Sequence, residues 1–224
     1  YKRQGIEHVS PRPWPFPGED GEAPEFKYDP HVWTSPKQAK IQVDNIVNTL
    51  SQASPQAKDA FTAAGKKYTD QLEDLDKWAS DSMSAVPEQD RVLFSSHDAF
   101  GYFSNEYGVK FIGSALSDFN HQQDATSSHI DEQVKKVRES GAKAIFAENS
   151  NNSKSIEAIA RAAGVKAVTS DDALYGDSLG VPGSEGETYI GSIVHNINTL
   201  VSAWDSKQQP LPESLQEFDF AKRK

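Results

Sequence analysis

Apolar residues recur along this chain in two rhythms: helical spacing up to about residue 86, then short apolar runs alternating with helical stretches. Ser35 and Pro36 form a helix N-cap and first-turn pair, and Val43, Ile46, Val47 and Leu50 follow at i, i+3, i+4 and i+7. This predicts a helix over 36–53. Ser54 and Pro55 repeat the start signal, and Phe61, Ala64, Tyr68, Leu72, Leu75 and Ala79 keep one face until Pro87. One helix over 55–86 would be about 48 Å long, more than a globular helix usually needs and too short a pattern for a coiled coil. A rigid connector between two lobes is the better reading.

From residue 91 the unit is strand then helix. RVLFSS (91–96) precedes DAFGYFSNEYG (98–108). KFIGS (110–114) precedes a helix over 125–140 with Ile130, Val134 and Val137 on one face. KAIFAE (143–148) precedes a helix carrying Ile156, Ile159, Ala160 and Ala163. KAVTS (166–170) precedes, after a loop, a helix over 187–204 with Ile190, Val194, Ile197, Val201 and Trp204. Four βα units in series imply an α/β fold, a parallel sheet with helices on its faces. Residues 7–30 hold six of the 12 prolines and form an extended loop, and the tail from Asp205, with Pro210 and Pro212, is irregular. The domain reading is therefore 1–54, the connector 55–86, a (β/α)4 lobe 87–204 and a tail 205–224.

Composition narrows the chemistry. The 224 residues carry a formal net charge of −10, and the only basic cluster is Lys222, Arg223 and Lys224. Nucleic acid and anionic membrane surfaces are excluded as main partners. No stretch approaches the roughly 18 apolar residues of a spanning helix. With no cysteine, disulfides and thiolate chemistry drop out, and any metal would be held by His, Asp or Glu. The chain starts at Tyr1 without Met and enters loop sequence at once, so an N-terminal portion is expected to be missing.

In an open parallel sheet, ligands bind beyond the carboxyl ends of the strands. That rule selects His97 after RVLFSS, Glu148 at the end of KAIFAE, and Asp171, Asp172 and Asp177 after KAVTS. His31 stands just before the first helix; His8, His121, His129 and His195 are not placed by the rule. A lone strand-end histidine is more often a packing residue, but two histidines and a carboxylate form a set suited to Zn²⁺ or Mn²⁺. Glu148 could equally cap the next helix or accept a ligand histidine's N–H. The run GVPGSEGE (180–187) follows no strand and lacks GK[ST], so it is not a phosphate loop.

Three segments carry a resemblance. YDPHVWTSPKQAK (28–40), SSHDAFGYFSNEYG (95–108) and LYGDSLG (174–180) are similar to the Asp-Pro-His-x-Trp, His-Asp-Ala-Phe-x-Tyr-Phe and Asp-Ser-Leu motifs of the zinc/manganese solute-binding proteins of bacterial ABC importers. The resemblance runs over 28–204. It implies two α/β lobes joined by one rigid helix, and a metal in the cleft on four side chains. His31, His97 and Asp177 match three of them. The fourth, a histidine of the N-terminal lobe, has no counterpart, because family members carry roughly 100 further residues at the front, most of a lobe of ordinary domain size. His8, in QGIEHVSP, does not stand in for it.

The resemblance further implies an extracytoplasmic monomer that delivers its metal to an ABC permease without being an enzyme. Zinc is favoured over manganese, because many manganese members carry Glu where His97 stands and Mn²⁺ prefers harder donors. Against zinc, PRPWPFPGEDGEAPEF (11–26) lacks the histidines that zinc members often carry before the DPH motif. The rival readings are an adhesin or metal chaperone, and a metallohydrolase with Asp98 or Glu148 as base.

Overall fold

The computed structural model describes residue 13, residues 27–116 and residues 127–220. Most of the Pro-rich loop, His8, His121 and the basic tail cluster lie outside them.

Ser35 caps the first helix, α1 (Pro36–Ala53), its hydroxyl accepting the Gln38 N–H. The chain turns through a single 3₁₀ turn (Pro55–Ala57) into α2 (Lys58–Ser84), a 27-residue helix about 40 Å long. The expected helix over 55–86 is thus shorter at both ends: Ser54 makes no side-chain cap, and regular helix stops ahead of Pro87. Where α1 crosses α2, the absence of a side chain at Gly65 is required, since a Cβ there would stand 2.3 Å from Val47 Cγ2.

Beyond α2 come β1 (Val92–Ser95), α3 (Gly101–Tyr107), β2 (Lys110–Ser114), α4 (Ser127–Ser140), β3 (Ala144–Phe146), α5 (Lys154–Ala163), β4 (Lys166–Val168) and α6 (Tyr189–Ala203). β1 pairs in parallel with β2, with a register shift between Leu93 and Phe94, and β3 pairs in parallel with β4 from Ala144↔Lys166 to Phe146↔Val168. β1 and β3 lie against each other at the centre without a continuous ladder. The spatial order is β2-β1-β3-β4, and the winding reverses between β1 and β3. Such a reversal opens a crevice at the strands' carboxyl ends.

Alternate strand residues feed two cores. Leu93, Ala144 and Phe146 pack with Leu72, Leu75, Trp78, Phe103, Ile197 and Trp204 of α2, α3 and α6. Phe94 and Ile145 pack on the other face with Val134, Val137, Ile156 and Ile159 of α4 and α5. Both faces of the sheet are therefore covered, which is why β1 and β3 read as continuous apolar runs.

The tail is more ordered than its two prolines imply. Residues Glu213–Phe218 form a 3₁₀ turn with Leu215 fully buried. The Trp78 indole donates to Gln209 O at 3.3 Å and the Ser214 hydroxyl to Asp74 Oδ2 at 2.5 Å, so the tail is strapped along α2. Among the described residues, no helix is long and apolar enough to cross a membrane.

Candidate metal centre

His97 stands two residues beyond β1 and Glu148 two beyond β3, so both stand at the winding reversal. Their strand ends are stitched together: the His97 N–H donates to Glu148 Oε1 at 3.0 Å, and the Glu148 N–H donates to Ser96 Oγ at 3.1 Å. A parallel bridge between Glu148 and Leu174 then lays the stretch after β4 alongside the end of β3. This brings Asp177 to the same crevice. His31 arrives from the segment before α1, where the Tyr102 hydroxyl donates to Asp29 O at 3.1 Å and the Thr34 hydroxyl to His31 O at 2.9 Å.

Residues distant in sequence therefore meet. His31 Nε2 is 3.7 Å from Asp177 Oδ1, His97 Nε2 is 3.0 Å from Asp177 Oδ2, and the two imidazoles face each other edge to face at 5.4 Å. One donor atom from each of His31, His97 and Asp177 lies within 4.8 Å of the others. Two ligands on a tetrahedral ion with bonds of about 2.0–2.1 Å stand about 3.3 Å apart, a value that the two histidine–Asp177 separations bracket. Both histidines are buried, while the Asp177 side chain remains 26% exposed and gives the crevice its opening to solvent.

The other ring nitrogens are also fixed. His31 Nδ1 is 2.6 Å from Asp29 Oδ1, and His97 Nδ1 is 2.6 Å from Glu148 Oε2. Each imidazole is thereby oriented with Nε2 toward Asp177, the carboxylate–histidine arrangement that tunes metal-bound imidazoles. Glu148 thus takes the histidine-partner place among its two sequence alternatives. Asp29 was missed as its counterpart. The signal lay in the Asp-x-His spacing, which lets Asp29 Oδ1 accept the His31 backbone N–H at 3.0 Å as well as face its ring.

Asp29 and Glu148 are each 1% exposed beside the two imidazoles. Burial opposes a charge on His97, but the hydrogen bonds and negative charges of Asp177 and Glu148 outweigh it and raise its pKa from 6.5 to about 10. Burial likewise opposes the Asp177 charge, yet His97 and His31 hold its carboxyl below the ordinary 3.8.

Gly176 has no room for a side chain: a Cβ there would meet Glu148 Oε2 at 2.7 Å. The remaining candidates are elsewhere. Asp171 and Asp172 are exposed in a 3₁₀ turn, His129 Nε2 meets Ala115 O at 3.1 Å, and the ring nitrogens of His195 meet Glu185 and Ala173 O.

Comparison with known proteins identifies the family. The family described as "Zinc-uptake complex component A periplasmic" (ZnuA) matches residues 3–203. The manganese-binding lipoprotein MntA of Bacillus subtilis is 40% identical over 178 residues, 79% of this chain and 58% of MntA. The zinc-binding protein TroA of Treponema pallidum is 32% identical over 181 residues, 80% of this chain and 58% of TroA. The manganese ABC transporter substrate-binding lipoprotein PsaA of Streptococcus mitis is 26% identical over 81% of this chain and 57% of PsaA. The chain thus spans less than two thirds of the length of these relatives. A structure of periplasmic zinc-binding TroA superposes with a TM-score of 0.74 at 30% identity, covering 83% of this chain and 67% of that one. With a parallel α/β lobe behind a long helix, and a family match over residues 3–203, the chain belongs to the ZnuA family.

Proposed function

We propose that this chain captures one divalent transition-metal ion on His31, His97 and Asp177, outside the cytoplasm, and passes it as cargo to the permease of an ABC importer. One observation carries the reading: two buried imidazoles, each anchored at Nδ1 by a buried carboxylate, turn Nε2 toward a third carboxylate. Three protein donors leave one position of a tetrahedral ion to a further ligand. In this reading residues 1–54 belong to a second lobe, α2 is the stiff link between lobes, and the chain acts as a monomer.

Zinc is the favoured cargo, since two imidazole nitrogens suit zinc and manganese stands lowest in the divalent affinity order. Manganese is the second reading, supported by the name of the 40% identical relative. The hydrolase alternative loses one of its two candidate bases, because the Glu148 oxygens face the His97 ring and backbone N–H.

Calorimetric titration of the chain with zinc and with manganese tests the proposal. One ion per chain is expected, zinc the tighter, with binding lost in Asp177→Ala. Undiminished binding in that variant would refute the site.

A further inference from the structure

The loop that carries Asp177 is pinned at three successive points. Asn196 of α6 grips Tyr175 twice, accepting its N–H and donating to its carbonyl, each at 2.8 Å. The Trp33 indole N–H donates to Gly176 O at 3.0 Å. Asn149, after β3, donates to the Ser178 hydroxyl at 2.9 Å and to its carbonyl at 3.1 Å.

The middle pin differs from the other two. Asn196 and Asn149 tie the loop to the α/β lobe that bears His97, whereas Trp33 belongs to the segment that bears His31. Its ring stands edge-on to the His31 imidazole, with centroids 5.4 Å apart, and its own carbonyl is held by the hydroxyl of half-buried Tyr189 at 2.8 Å. A single indole therefore touches one proposed ligand through its ring and the residue before another through its N–H. Trp33, Tyr175, Gly176, Asp177, Tyr189 and Ile193 line an open apolar pocket of about 370 Å³, which gives a released Gly176–Asp177 segment room to move.

From this juxtaposition we infer that Trp33 is a positioning residue that sets the distance between His31 and Asp177 and so governs how fast a bound metal leaves. The inference rests on the metal reading of the site. A clamp of this kind acts after the ion has arrived, so its loss falls on the dissociation rate and leaves association nearly unchanged. The coupling is also reciprocal: if the indole hydrogen bond retains the metal, the metal retains the hydrogen bond to the same degree.

Two measurements on the whole chain, with zinc alone as the probe, test this. In Trp33→Phe the ring remains and the N–H is lost. Stopped-flow release into excess chelator should accelerate about tenfold, the worth of one well-placed hydrogen bond, while the association rate stays within about twofold and one zinc still binds. In the unaltered chain, solvent exchange of the Trp33 indole proton, followed by NMR, should slow by about the same tenfold when zinc is added. The second reading does not depend on the variant folding. An unchanged release rate in Trp33→Phe, or indole exchange indifferent to zinc, overturns the clamp while leaving the metal site standing. A chain that takes up no zinc at all overturns the site and the clamp together.

Discussion

In the proposed site, His97 is where proton and metal would compete. Its pKa is raised from 6.5 to about 10 by Asp177 and Glu148 against the cost of burial, so a metal arriving at neutral pH displaces a proton. Between 6.5 and about 10 the apparent zinc affinity should rise nearly tenfold per pH unit, and calorimetry in buffers of different ionisation enthalpy should read about one proton released per ion. A pH-independent affinity across that window would contradict this. In the metal-free chain the sign is opposite. A raised folded-state pKa contributes stability in full below 6.5 and loses it as pH climbs toward about 10, whereas the lowered Asp177 contributes above 3.8 and loses it in acid. The neighbouring Gly176 gives a second test. In Gly176→Ala the new Cβ presses on Glu148 Oε2, loosening the carboxylate that orients His97. Metal affinity should fall roughly 10- to 100-fold with the fold intact by circular dichroism.

At the scale of elements, α2 is held by its core face more than by propensity, with Leu72 and Leu75 both buried beneath it. Leu75→Ala should cost about 2–5 kcal/mol, read as a lower thermal midpoint with zinc stoichiometry unchanged. The four βα units were legible in the sequence because strands buried on both faces read as apolar runs and their helices as a 3.6-residue repeat. What escaped was pairing. Neither the contact of β1 with β3 nor the Glu148–Leu174 bridge has a local signal, yet together they bring residues 97, 148 and 177 to one crevice. The tail escaped for a similar reason: its prolines correctly exclude regular helix, but Leu215 and the acceptors for Trp78 and Ser214 become meaningful only against α2. His31, His97, Asp177 and Glu148 could be named from strand ends and motifs, and Asp29 was readable from its Asp-x-His spacing, whereas Trp33 reaches Gly176 through a contact that only the fold creates.

For the whole molecule, a charge of −10 fits a cation carrier without identifying one, and the more telling feature is where Asp29 and Glu148 are buried, beside the two imidazoles. An ion that binds the folded chain alone raises its stability by mass action, about 2.7 kcal/mol at a hundredfold excess over the dissociation constant. Because metal and proton compete, the rise in melting temperature on adding zinc should be larger at pH 8 than at pH 6. An equal or reversed shift would contradict that competition. The central claim is that one ion sits among His31, His97 and Asp177, and the most direct measurement is an anomalous difference map from zinc-loaded crystals at the zinc absorption edge. The account predicts one peak about 2.0–2.2 Å from His31 Nε2, His97 Nε2 and an Asp177 oxygen. A map with no peak among those three side chains, or with its peak elsewhere on the chain, would contradict it.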